Sequence, residues 1–295
     1  MTNLTAPPRA YFTINFEGLP KPLNYTVLTE EEIDANFERQ TTKLIAPRLE
    51  SWRNNGAGKA ERVEVFGGVT CTFKYDTDDR YLSFKIAAVR DVLTNVLTND
   101  YYKVIPDNAM TFYCDGRAQG STGYVRWDAT ARKRVALMFM GYGLVDQGSS
   151  PTVACTLVEK GKFTGSAKQF HTKVAVCHEY GHIFHQLHRP AHYFALADCS
   201  TFWGDGMTLT DIQASPDFTT RFARFRGYTK QDLKNLKAAL KKWTAIIGGY
   251  CHSANENPNE YVAEFFAGRK GANVPFVNLA KMQAVYDGLG GPTII

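Results

Sequence analysis

The sequence predicts an α+β fold, with a small mixed β-sheet in its first half and a mainly helical second half. Three observations predict it. Between residues 61 and 145, short runs rich in β-branched and aromatic side chains are separated by Gly-, Asn- and Asp-containing breaks. From about residue 165, apolar residues recur at the three- and four-residue spacing of helices. The 295 residues are 44% hydrophobic and 21% charged, enough apolar content for one large packed domain. The expected organisation is an N-terminal arm and helix over residues 1–60, then a single domain over 61–295. That domain is β-rich over 61–164 and mainly helical over 165–295.

The elements follow in order. Residues 1–28 carry several prolines and aromatics and read as an extended arm. Thr29 and Glu32 have the spacing of a capping box and predict a helix start. Ile33, Phe37, Leu44 and Ile45 fall near one face of that helix, Leu49 and Trp52 extend it, and Pro47 should kink or end it. Residues 54–58 (NNGAG) read as a loop. Residues 62–66, 69–75, 81–86, 110–114, 124–128 and 134–140 read as strands, and 89–97 as a helix. A helix over 166–187 is closed by Pro190. Residues 229–247 form an amphipathic helix capped by Thr229, with Leu233, Leu236, Leu240, Trp243 and Ile247 on one stripe. Another helix should begin near Pro258, with Asn257 as its cap.

Composition narrows the function classes. A net charge of +5 is far from the clustered basicity of a nucleic-acid binder, and the lysines between 234 and 242 read as a solvated helix face. No run is long enough to span a membrane. The first residues lack the charged and apolar regions of a cleaved signal peptide, so the expectation is a cytoplasmic protein or one exported by another route. Six scattered cysteines, with no C-x-x-C pair, read as buried thiols rather than a disulfide framework or a thiolate metal site.

The chemistry concentrates in the histidines, six of which lie between residues 171 and 192. His178-Glu179-Tyr180-Gly181-His182 is an H-E-x-x-H match. Residues four apart stack on one face of a helix, so both imidazoles can reach one Zn²⁺ while Glu179 stands beside them as a general base. Two candidates compete for the third ligand. His188 lies ten residues after His178, but the position where such chains turn at a glycine is occupied by His185. Glu260 lies in N-P-N-E-Y-V-A-E-F-F-A, one turn before Glu264, where it also fits as a capping-box glutamate.

The H-E-Y-G-H segment resembles the metal-binding helix of the gluzincin metallopeptidases. N-P-N-E-Y-V-A-E-F-F-A resembles the glutamate helix of the anthrax lethal factor-type catalytic domain and of related secreted Pro-Pro endopeptidases. The resemblance covers roughly residues 170–268. It implies a zincin-like fold, a zinc site of His178, His182 and Glu260, and a peptide or protein substrate for a secreted effector or toxin. It also implies a tyrosine seven residues before the glutamate ligand that stabilises an oxyanion. Here that position is Ser253, and Tyr250 or His252 is the nearby substitute. The stretch from 191 to 220, longer than in lethal factor, is expected to form an extra element over the cleft.

On this reading Glu179 is the general base and Tyr250 the oxyanion donor, with Glu264 and His185 orienting the histidine ligands. An extended substrate would add to strand 134–140. Two other readings compete: a zinc amidase acting on cell-wall material, which keeps these residues, and a non-catalytic binding module using the basic helix face between Lys234 and Lys242.

Overall fold

A computed structural model of the chain describes residues 9–97, 101, 103–145, 167–203, 220–247, 257–271 and 278–294. The architecture is mixed α+β. A short antiparallel pair, β1 (Tyr11–Ile14) and β2 (Leu23–Thr26), precedes a five-stranded mixed sheet. The sheet comprises β3 (Lys59–Phe66), β4 (Val69–Asp76), β5 (Ala109–Cys114), β6 (Thr122–Asp128) and β7 (Lys133–Met140). Its order is β3-β4-β5-β7-β6, with β4, β5 and β7 mutually parallel and both edge strands antiparallel.

The helix over the capping box forms as expected. α1 (Glu30–Gln40) starts at Thr29, whose side chain accepts from the Glu32 backbone while Glu32 bonds back to the Thr29 backbone. Pro47 neither ends nor breaks the run. The chain passes through a wide π turn, Thr41–Ile45, into α2 (Ala46–Arg53). The extra residue in that turn shifts the face, so Leu44 is exposed while Ile45, Leu49 and Trp52 are buried.

Residues 81–86 correct the sequence reading. They belong to a helix, α3 (Leu82–Asp91), not a strand. Asp79 starts it by accepting the Tyr81 N–H at 2.9 Å and holding the Lys85 ammonium at 2.7 Å, with both charged side chains fully buried. The Lys85 ammonium also donates to the Asp115 carbonyl at 3.2 Å, tying the helix to the end of β5.

The second half holds α4 (Ala167–His188), α5 (Pro190–Trp203), α6 (Lys230–Ile247), α7 (Pro258–Lys270) and α8 (Leu279–Gly288). One residue, Arg189, separates α4 from Pro190, which is the first residue of α5, the N-terminal position that proline suits. All of α5 but its first residue lies in the 191–220 stretch expected to form an extra element, and residues 204–219 lie outside the described residues. Leu233, Leu236 and Leu240 of α6 are buried, as the stripe predicts.

One face of the sheet packs against α3, α4 and α7 through Phe73, Phe112, Met138, Val89, Ile183 and Phe266, among others, in one continuous core. The opposite face, at Leu137 and Phe139, is covered by Ile45 and Leu49. β7 is therefore buried on both faces, which explains its nearly unbroken apolar run. It lies between β5 and β6, so the expectation that residues 134–140 form a substrate-accepting edge is overturned. No helix of the described residues is long and apolar enough to cross a membrane.

Candidate metal centre

α4 carries the H-E-x-x-H residues and α7 carries Glu260 and Glu264. Two small residues let these helices approach closely. A Cβ on Gly181 would lie 2.9 Å from Ala263 Cα and 3.2 Å from the Ala263 carbonyl oxygen. α7 begins where the sequence places it. Asn257 is its N-cap, accepting from the Asn259 N–H at 3.1 Å, and Pro258 takes the first turn. Asn259 is buried and donates to the Tyr193 carbonyl at 3.1 Å, fixing α7 to α5.

The crossing brings three donor atoms together. His178 Nε2 and His182 Nε2 are 3.1 Å apart. Glu260 Oε2 lies 3.1 Å from His178 Nε2, and Oε1 lies 3.4 Å from His182 Nε2. Ligands held about 2.0–2.1 Å from one tetrahedral ion stand roughly 3.4 Å from each other, so these separations fit a cation seated among them. Among the described residues, His178, His182 and Glu260 are the group of this kind. Glu260, rather than His188, joins the pair of histidines. His188 is exposed at the end of α4, with its ring edge-on to Phe184.

Glu264 Oε1 stands 2.8 Å from His178 Nδ1. A carboxylate there directs the Nε2 lone pair towards the centre. Of the two residues expected to orient ligands, Glu264 is in place. His185 instead packs edge-on against the Tyr193 ring and is fully buried.

Glu179 is buried beside the pair and accepts the Gly123 N–H at 2.6 Å. Gly123 has no room for a side chain, since a Cβ would meet the Glu179 carbonyl oxygen at 2.2 Å.

The charges are strongly coupled. Burial pushes the His178 imidazole down, but Glu264 and Glu260 more than reverse this and raise its pKa well above the ordinary value. Burial would raise Glu260, yet His182 and His178 hold it far below the usual carboxylate range. Glu179 is raised, because burial outweighs the pull of His178 and His182. Three carboxylates around two imidazoles make a site that favours added positive charge.

Tyr250 and His252 lie outside the described residues. Two phenols that the sequence reading did not single out stand near the centre. Tyr193 on α5 is buried, and its pKa is raised by that burial and by Tyr124, Glu260 and Glu179, so its hydroxyl stays protonated. Tyr124 on β6 is raised chiefly by burial, with Glu179 and Glu260 adding to the effect. No spacing signal links residues 124 and 193 to the motif, so only the fold brings them in.

Four of the six cysteines are described. Cys71, Cys114, Cys177 and Cys199 are free and buried, and burial pushes the Cys177 thiol up to about 12. No family model, no curated protein and no solved structure matches the chain.

Proposed function

We propose that this chain is a zinc-dependent hydrolase of the metallopeptidase kind, with His178, His182 and Glu260 as ligands. The observation that carries the reading is the convergence of their donor atoms to within 3.1–3.4 Å across two helices. Two imidazoles and a carboxylate are the ligand set of catalytic zinc sites that keep one position open. The zincin-like comparison of the sequence motifs agrees with this ligand set.

Zinc held there supplies Lewis acidity, easing deprotonation of water and polarising a carbonyl. The protein's own groups do the rest. Glu179, its pKa raised by burial, is the base that takes a proton from water and returns it to the leaving amine. The Gly123 N–H fixes that carboxylate in place. Glu264 orients His178. We assign the oxyanion donor to Tyr193, whose protonated hydroxyl lies within electrostatic range of both Glu179 and Glu260. Tyr250 is the sequence-based alternative. The substrate proposed is a peptide or protein, and the protein an exported effector.

Glu179→Gln tests the reading. It should retain metal and lose hydrolysis of a peptide library by about 10²–10⁴-fold. Undiminished turnover would remove Glu179 from its role. Turnover of cell-wall fragments but not peptides would favour the amidase. Phe substitutions at Tyr193 and Tyr250 separate the donors, with the loss in kcat expected at Tyr193.

A further inference from the structure

The two edges of the main sheet are treated in opposite ways. On β6 the outward-facing backbone groups are closed from within the protein. Gly123 N–H donates to Glu179 at 2.6 Å, Val125 N–H to Gln186 Oε1 at 2.9 Å and Trp127 N–H to the Thr41 hydroxyl at 2.9 Å. The carbonyls of Gly123 and Val125 accept from Gln186 and Gln40, at 3.3 and 2.7 Å. Gln40 and Gln186 are buried and bonded to each other at 2.7 Å. Such a closed edge has no room for an added strand.

Among the described residues β3 has no such closure. Its hairpin with β4 turns at Gly67 and Gly68, both with positive φ, so Phe66 and Val69 are the closing hydrogen-bonded pair. The alternation then points the backbone groups of Phe66, Glu64, Arg62 and Ala60 towards β4. Those of Val65, Val63 and Glu61 point outward. Among the described residues nothing bonds to these outward groups. The pairing with β4 runs unbroken over all eight residues, with no bulge and no proline. Val63 and Val65 are 57% and 65% exposed, two of the five large apolar side chains that stand in solvent among the described residues. Bare, regular, apolar edges are what monomeric proteins avoid.

The edge is also complementary to itself. If a second copy lies antiparallel to it about a two-fold axis at Val63, every outward group of Glu61, Val63 and Val65 finds a partner. Val63 then meets Val63 of the second copy, and Glu61 meets Val65. Arg62 falls opposite Glu64 in the closer, non-hydrogen-bonded pairs, twice over. Within one chain Arg62 already pairs with Glu64, and Arg90 stands 3.7 Å from the same carboxylate. The two-fold would continue this into an alternating square of charges. A parallel arrangement offers no such closure.

We infer that the chain forms a homodimer through β3, joining two five-stranded sheets edge to edge. This does not depend on the metal centre, which lies at the opposite edge.

The test is solution mass of the full chain by sedimentation, with three variants. Wild type should dimerise with a dissociation constant in the micromolar range, about 1–100 µM for an interface this small. Val63→Pro removes an N–H that no internal bond uses, so the chain should fold and stay monomeric. Arg62→Glu and Glu64→Arg should each weaken dimerisation at least about tenfold through like-charge pairs. Mixing those two variants should restore a heterodimer, because each mismatch is then opposed by its complement. A wild-type chain monomeric at about 200 µM, bare or with a foreign protein on β3, overturns the inference. So does a dimer that survives Val63→Pro, or a mixture no tighter than either charge variant alone.

Discussion

Gly181→Ala is the smallest change that tests how packing and the metal centre are linked. The added Cβ would sit 2.9 Å from Ala263 Cα, 3.2 Å from the Ala263 carbonyl oxygen and 3.3 Å from Phe266 Cβ. The first two are backbone atoms and cannot rotate away. An ordinary contact needs about 3.4 Å or more, so α7 must move roughly 0.5 Å from α4. Overpacking of this kind costs about 1–3 kcal/mol. Alanine returns about 1 kcal/mol in helix propensity, leaving a net loss of about 0–2 kcal/mol. For a chain of this size that is a fall in Tm of up to about 8 °C. The same movement carries Glu260 away from His178 and His182. Because metal sites tolerate only about 0.2 Å, affinity should drop at least about tenfold. Thermal denaturation in excess chelator reads the packing term alone, and competition with a chromophoric chelator reads affinity. A variant as stable as wild type in chelator, with unchanged affinity, would refute the argument.

Two further predictions concern stability. His192 is held neutral by burial, with its pKa lowered to about 4 from 6.5. The unfolded chain therefore binds more protons between those values, so stability is full above pH 6.5 and falls as pH drops towards 4. The loss is about 3 kcal/mol, and buried His185 acts in the same direction. Denaturant titrations at pH 7 and pH 5 should show it, and His192→Asn should flatten the slope; an unchanged slope would contradict the assignment. Lys85→Met strands the buried Asp79 carboxylate and should cost about 3–5 kcal/mol. Adding Asp79→Asn should recover most of that loss, and a double variant no better than the single would show that the pair is not what matters.

The site was legible where chemistry and helical period coincide. The four-residue spacing of His178 and His182 requires a helix to mean anything, and the Asn257-Pro258 start puts Glu260 in the first turn of another. Neither segment says that the two helices cross. That rests on Gly181 and Ala263 meeting, a contact 82 positions apart that no local pattern encodes. The fold was legible where local signals agree, as at the Thr29 and Glu32 capping box and the apolar run of β7. It failed where they compete. Residues 81–86 have strand-like composition, but Asp79 accepts the Tyr81 N–H just ahead of the segment and Leu82, Ile86 and Val89 keep helical spacing. Choosing residues 134–140 as the sheet edge failed for another reason. Strand order is a property of the whole sheet, and β6 returns along the outside of β7. Tyr193 and Tyr124 were invisible for the same reason, each feeling the charge of the centre from a separate element.

Metal content of the purified full chain, loaded with zinc and dialysed against metal-free buffer, tests the central claim most directly. Wild type should hold about one equivalent, while His182→Ala and Glu260→Ala should each fall below about a tenth. A wild-type chain below about a tenth of an equivalent, or variants that keep wild-type zinc, would contradict it.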